Sequence, residues 1–326
     1  MARRRRSTPG VDGVLLVDKP SGPTSHDVVA KVRRLAGQPR IGHGGTLDPF
    51  ATGLLVLLLG RATRLAELHL GGAKRYLATF SFAGQTTTDD LDGERLGEWG
   101  RGTTRAAVER LLPRFRGALE QVPPSHSAKR TDGVRAYERA RAGEIVELAP
   151  RAVSIDRFEL LGWDDARPDE PLMEALLDVS SGTYIRAIAR DFGAAVGTGA
   201  HLVALRRTGS GTFDVARAHG LEEIARATLE GRLHDLLLPV DAGLERLPLV
   251  TVDGTAAALV RDGALVPLAL LDPVGGALEE GEPCRIYVGG EIAALARRTA
   301  AGLQPERVFL APIGAPAPST EPSARS

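Results

Sequence analysis

The pattern of apolar and polar positions predicts short elements separated by long connections near the start of the chain. Residues Gly13 to Asp18 form an apolar run, and Pro20, Gly22 and Pro23 in the KPSGPTSHD that follows demand a loop. Ser25 reads as the N-cap of a helix through Val28, Val32 and Leu35. The glycine- and proline-rich stretch from Gln38 to Thr52 reads as one long loop. Leu54 to Leu59 is a buried strand or a short helix, which periodicity does not separate. Lys74 to Phe82 alternates, with Tyr76, Ala78, Phe80 and Phe82 on one face. Thr86 to Gly93 is polar and turn-like. Thr104 to Leu112 reads as a helix capped by Thr103 or Thr104, and Ala136 to Ala142 as another. Leu172 to Val179 reads as a strand. After the Ser180-Ser181-Gly182 turn comes an amphipathic helix with the stripe Ile185, Ile188, Ala189, Phe192 and Val196.

The composition shifts near Pro239 to Pro248. Beyond it, Leu249 to Val252, Leu265 to Leu271, Arg285 to Val288, Glu291 to Ala296 and Arg307 to Leu310 are short apolar segments spaced by Gly and Asp, the pattern of a small β-rich module. By pattern alone the fold class is α+β. Residues 313–326, rich in Pro, Ala and Ser, are expected to be a disordered tail. Residues 1–10, MARRRRSTPG, are expected to be a flexible basic tail, since no apolar stretch follows them as a signal peptide requires. The run at Leu54 to Leu59 is far too short to span a bilayer, so no membrane partner is expected. The single cysteine, Cys284, excludes a disulfide within the chain and a thiol zinc cluster, and a cytoplasmic protein is expected.

The formal net charge is zero, which taken alone argues weakly against a nucleic-acid partner. Its distribution is uneven: Arg101 to Arg151 holds 11 basic residues against 6 acidic ones, so a locally basic face is expected. There is no GxxxxGK[ST] loop and no His/Cys cluster of metal spacing, so neither a nucleotide cofactor nor a metal is expected.

The segment richest in candidate chemistry is Gly42-His43-Gly44-Gly45-Thr46-Leu47-Asp48-Pro49. Pro49 biases Asp48 away from helical geometry, and the glycines let another molecule's backbone approach closely. These residues alone allow two readings, a carboxylate positioned for chemistry or an Asp-Pro turn that caps a nearby helix.

GHGGTLDPFATGLL resembles the catalytic loop of the tRNA pseudouridine-55 synthase (TruB) family, whose pattern is close to GHxGTLDPxATGxL. The resemblance spans nearly the whole chain: GVLLVDKPSGPTSHDVV at 13–29, KRYLATF at 74–80, SSGTYIRAIARDFG at 180–193 and AHLVALRRTGSGTF at 200–213 resemble further family motifs. It implies a pseudouridine synthase fold, a large and mostly antiparallel mixed sheet flanked by helices, over residues 11–240. It also implies a small β-rich PUA-like RNA-binding domain over 249–312. It gives Asp48 the role of nucleophile, Tyr76 that of packing against the target base, and Arg186 that of pairing with the aspartate. His43, Lys19, Asp90, Tyr184 and Leu205 fall at substrate-binding or supporting positions. Two residues depart from the pattern: His126 stands where Tyr is usual and Arg130 where Lys is usual. The turn before Asp90 is also one residue short relative to Gly84.

The implied reaction converts uridine 55 of the tRNA T-loop to pseudouridine, with the T-arm of tRNA as partner, no cofactor, and the enzyme a monomer. A carboxylate suits this chemistry because it can attack an electron-poor sugar carbon or stabilise positive charge there. Attack at C1′, attack at C6 of the base and elimination to a glycal all remain open. So do three rival functions: the same reaction on another RNA such as ribosomal RNA, a tRNA-folding chaperone, and a nucleoside hydrolase.

Overall fold

The apolar run at the start of the chain is a strand, β1 (Gly13–Lys19), and what makes it one is its partner. That partner is the run periodicity left open: Thr52–Leu59 is a strand, here β3, paired antiparallel to β1 with Leu15 opposite Leu57 and Val17 opposite Leu55. Leu54 through Leu59 are all buried, so both faces of β3 are covered, and a strand so covered carries an unbroken Leu/Val run rather than an alternating one. The computed structural model describes residues 10–97, 102–124, 130–131, 134–135 and 149–310, in two units that divide between Leu238 and Pro239.

Two expectations in this region are corrected. The stretch from Gln38 to Thr52 is not all loop: β2 (Ile41–His43) pairs with β3, Ile41 opposite Leu59, and burial of Ile41 anchors it. Helix α1 (Ser25–Ala36) is capped by Thr24, not Ser25. The Thr24 hydroxyl accepts from the Asp27 amide while the Asp27 carboxylate accepts from the Thr24 amide, a capping box. Ser25 lies inside the helix and its hydroxyl goes elsewhere.

The remaining strands of this sheet are β4 (Lys74–Ser81), β5 (Gly117–Gln121), β6 (Arg151–Asp164), β7 (Leu172–Val179), β8 (His201–Ser210) and β9 (Phe213–Asp214). The order is β1-β3-β8-β4-β7-β6-β5, with β9 added to β8 and β2 to β3. All pairings are antiparallel except β3 with β8, where Arg206 lies opposite Thr52 and Arg207 opposite Gly53. Gly53 has φ +97°, and a Cβ there would fall 2.3 Å from the carbonyl oxygen of Arg207, so this junction requires glycine. On β4 the alternation holds: Tyr76, Ala78 and Phe80 are buried, and Arg75 and Leu77 are exposed.

Helix α2 (Arg105–Leu111) starts at its Thr104 cap, and α3 (Ile185–Val196) lays Ile185, Ile188, Ala189 and Phe192 into the core. Phe192 sits among three other rings, with centroid distances of 4.9 Å to Phe115, 5.3 Å to Phe158 and 6.0 Å to Phe82. This packing fixes the helix whose first turn enters the site. The expected helix at Ala136 to Ala142 lies outside the described residues.

Among its described residues the second unit holds five strands around its own core of Val250, Val260, Ile286 and Leu303. They are β10 (Leu249–Thr251), β11 (Val266–Pro267), β12 (Pro283–Val288), β13 (Glu291–Thr299) and β14 (Gly302–Val308), in the order β10-β12-β13-β14-β11. The last apolar segment begins earlier than Arg307, because Gly302 turns the chain back from β13. Asp241 is buried and ties this unit's first segment to β12 through Arg285 Nη1 at 2.9 Å and the Tyr287 hydroxyl at 2.8 Å. No helix among the described residues is long and apolar enough to cross a membrane.

Candidate active site

The loop from Gly45 to Pro49 has no regular structure, yet each of its carbonyls accepts a hydrogen bond. Arg207, fully buried on β8, donates Nη2 to Gly45 O at 3.1 Å and Nη1 to Thr46 O at 3.2 Å, and its Nε reaches Leu54 O. Ser25 both donates to Leu47 O at 3.1 Å and accepts from Leu47 N at 2.8 Å. The Ala51 amide donates to Asp48 O. Pro49 O accepts from the Gly22 amide and from Lys19 Nζ at 3.0 Å. A loop anchored at every residue holds its side chains in one geometry without secondary structure.

That loop presents Asp48 to Arg186. The pair is bidentate, Nε to Oδ2 and Nη2 to Oδ1, both at 2.9 Å. Arg186 is 5% exposed in its side chain and Asp48 32%, so the carboxylate faces outward from a buried guanidinium. Arg186 Nη1 donates to Thr88 O at 3.0 Å and lies 3.5 Å from Asp90 Oδ2. Arg186 stands in the first turn of α3, where the helix dipole disfavours a cation by about 0.3–1 kcal/mol. A residue that breaks a local rule while fully ordered by acidic partners marks a functional site.

The turn before Asp90 is equally constrained. Asp89 has φ +60°, uncommon outside glycine but tolerated by Asp, and its carbonyl accepts from Leu202 N on β8. Asp90 accepts from Thr88 Oγ1 and from the Asp92 amide. Burial raises its carboxyl above the usual range, against the opposing pull of Thr88 and Arg186. Burial likewise pushes Asp89 up to about 6, opposed chiefly by Arg190.

Beside Asp48 opens a cavity of about 300 Å3. Asp48, Tyr76, Arg186, Tyr184 and Leu205 all line it, so five of the residues singled out in the sequence meet at one place. Lys19, His43 and Asp90 do not line it. Asp90 stands behind Arg186. His43 packs edge-to-face on His26 at 5.5 Å, accepts the Gly45 amide on Nδ1, and is lowered by burial and by the neighbouring His26 and Arg207. His126 and the side chain of Arg130 lie outside the described residues.

Lys19 is fully buried, and its ammonium donates to Pro20 O, Pro23 O and Pro49 O. Desolvation lowers it from 10.5 to about 8; Asp48 pulls it back up and Arg207 adds to the fall. A depressed folded value means that the contribution of this group to stability is present above 10.5 and lost as pH falls through about 8. The unfolding free energy of the wild type should therefore gain about 2–3 kcal/mol on Lys19→Met between the two ends of that window. Urea unfolding of both proteins at each end measures it, and parallel curves would dismiss the shift.

Sequence reasoning missed several residues that build the site. Ser25 was read as a cap. Arg207 sits at an inward position of β8, where a basic residue among apolar ones was the available signal. Lys74, inside the KRYLATF motif, turns its ammonium to His69 O, Leu70 O and Gly72 O and is lowered by burial to about 8. Gln121, inside the basic stretch, and Arg151, its last residue, gave no individual signal. Among the described residues no group of three or more His, Cys, Asp or Glu is arranged to hold a metal.

Two family models match the chain. That of the TruB family pseudouridylate synthase N-terminal domain covers residues 33–185, and that of the tRNA pseudouridylate synthase B C-terminal domain covers residues 186–245. The tRNA pseudouridine synthase B of Burkholderia lata is 42% identical over 300 residues, 92% of this chain and 91% of its own. The chain belongs to the TruB family of pseudouridylate synthases. Another TruB relative, the tRNA pseudouridine synthase B of Leifsonia xyli, is 50% identical over 67% of this chain and 72% of its own. Among solved structures, an H/ACA RNP bound to a substrate RNA containing 2′-deoxyuridine contains a chain of the same fold, with a TM-score of 0.68 and 25% identity over 91% of this chain and 85% of that one. The expected pseudouridine synthase fold, with its large mixed sheet and β-rich C-terminal sheet, is thus the one observed.

Proposed function

We propose that this TruB-family chain isomerises uridine 55 in the T-loop of tRNA to pseudouridine, with Asp48 as the nucleophile. The observation that carries the reading is the bidentate Asp48–Arg186 pair, in an anchored loop, at the wall of a cavity that also presents an aromatic ring, Tyr76.

The reaction breaks the N1–C1′ bond, turns the base and joins C5 to C1′. Nothing is oxidised; C5 gives up its proton to solvent when the C5–C1′ bond forms and N1 takes one up, so the product is an isomer and an ionised carboxylate with a fixed counter-charge supplies the nucleophilic part of the chemistry. Arg186 supplies the counter-charge and aims the carboxylate. The target base lies in a folded RNA loop and is flipped out, at a cost of a few kcal/mol that stacking on Tyr76 partly offsets. Leu205 and Tyr184 complete the walls. Lys19 and Asp90 act on this geometry through the loop and through Arg186. His43, outside the cavity, meets RNA rather than the reacting base in this reading.

The catalytic domain takes in residues 11–240. The second unit, with its own core and sheet, serves as a PUA-like RNA-binding domain over 249–312. The enzyme works as a monomer in the cytoplasm, on the T-arm.

Incubating the purified protein with an unmodified T-arm stem-loop, without added cofactor, should yield pseudouridine and no free uracil on nucleoside analysis. Free uracil would make the chain a hydrolase. Product from ribosomal RNA alone would move the substrate.

A further inference from the structure

Among the described residues four cationic side chains line the cavity: Lys74, Arg151, Arg186 and Arg207. Three are committed within the chain, Lys74 and Arg207 to three carbonyls each and Arg186 to Asp48 and Thr88. Arg151 differs. Among the described residues its guanidinium has no hydrogen bond or ion pair, and its Nε is buried without a partner. Its contact is with the Tyr184 ring, whose centroid lies 4.5 Å from the guanidinium carbon. A buried cationic donor left unmet is costly, and native structures rarely keep one without a use.

The placement is built by the sheet. Arg151 opens β6 directly opposite Gln121 on β5. Buried Gln121 grips the Tyr184 backbone from both sides, accepting from Tyr184 N at 2.8 Å and donating to Tyr184 O at 3.1 Å. One cross-strand pair thus reaches one residue: Gln121 fixes its backbone and Arg151 covers its ring. Gly182, at φ +80°, leaves the room for this, since a Cβ there would stand 3.3 Å from Arg151 Nη1.

We propose that Arg151 binds a backbone phosphate of the RNA flanking the target uridine and thereby seats the flipped nucleotide over Asp48. A guanidinium laid on an aromatic face keeps its edge N–H groups available, and that edge matches two phosphate oxygens. A nucleotide extruded into a cavity stays attached to its strand, so its own flanking phosphates pass the cavity's rim. The stacking on Tyr184 orders the side chain before RNA arrives, which reduces the entropy lost on binding. This inference rests on the pseudouridine synthase reading of the cavity.

The test compares the wild type, Arg151→Gln and Arg151→Lys on the T-arm stem-loop. Arg151→Gln should weaken binding about tenfold and reduce the slope of log affinity against log salt by about one phosphate contact. The loss should fall in KM rather than kcat, and Arg151→Lys should recover part of it. Stem-loops carrying a neutral methylphosphonate at each flanking position in turn supply the partner deletion. At one position the wild type should lose about tenfold and Arg151→Gln nothing more. Wild-type affinity and salt slope in Arg151→Gln, or methylphosphonate losses that add in full to the substitution, would overturn the proposal. So would a wild type indifferent to both methylphosphonates, a result that needs no folded variant. A wild type that makes no pseudouridine from the unmodified stem-loop would instead remove the underlying reading.

Discussion

Asp48→Asn lowers the single-turnover rate by about 10,000-fold or more while RNA affinity stays within a few-fold, because the substitution removes the attacking charge and little else. The anchors of the loop are made to backbone atoms of Gly45 through Pro49, and an amide at position 48 leaves each in place. Asn is the same size as Asp and still offers one oxygen to Arg186. It cannot attack a sugar carbon or C6 of the base at any useful rate, and it cannot offset positive charge developing at C1′. Since the Asp48 side chain is 32% exposed, water can reach the altered pair, and the stability cost is about 1–2 kcal/mol. Enzyme in excess over stem-loop, with nucleosides resolved after digestion, gives the rate, and equilibrium binding gives the affinity. A variant within tenfold of the wild-type rate would remove Asp48 from the chemistry, whichever of the three routes the reaction takes.

How far the fold and site could be read from the sequence depended on where the structural information lies. Elements with one buried face were legible: the alternation of Tyr76, Ala78 and Phe80, and the stripe of Ile185, Ile188, Ala189 and Phe192, report burial directly. Strands β6 and β8 were not. Their pairings shift register at bulges, between Ile155 and Arg157 and between Leu160 and Gly162 on β6, and between Leu202 and Ala204 and between Arg207 and Gly209 on β8. Each bulge reverses the inward and outward sense that alternation depends on. β8 is further masked by three buried polar residues, His201, Arg207 and Ser210, which read as surface positions. At the site, Asp48, Tyr76, Tyr184, Arg186 and Leu205 were singled out through motif resemblance, whereas Lys74, Arg151 and Arg207, which also line the cavity, were not. The residues that hold them were mostly missed, because their work is done on backbone carbonyls, which have no sequence. Ser25 illustrates this: its position invites a helix cap, but Thr24 takes that role, and the Ser25 hydroxyl is left to pin Leu47, one residue before the carboxylate.

Arg186→Ala has the second largest expected effect, a fall in kcat on the order of 1,000-fold with a much smaller change in RNA affinity. Arg186 is largely buried in the cavity wall and faces the carboxylates of Asp48 and Asp90. Removing it leaves Asp48 without the guanidinium that orients both its oxygens. Asp90, already raised by burial, loses the pull that Arg186 exerts downward and keeps the opposing influence of Asp48. Two carboxylates then face each other without the guanidinium between them, with only Lys19 acting on Asp48, and the arrangement relaxes by protonation of Asp90 or by movement of the loop. Breaking a buried pair from one side costs about 3–5 kcal/mol, so the variant should also unfold at markedly lower urea concentration. That loss alone does not explain the kinetics, and Arg186→Lys separates the two. Lysine restores a positive charge, and with it much of the stability, but presents no planar fork to the two oxygens of Asp48. It should recover stability substantially and kcat only slightly, with stem-loop affinity close to wild type throughout. Recovery of kcat in step with stability would mean that any cation at this position serves. Loss of affinity as large as the loss of kcat in both variants would place Arg186 in RNA binding instead of in the orientation of the nucleophile.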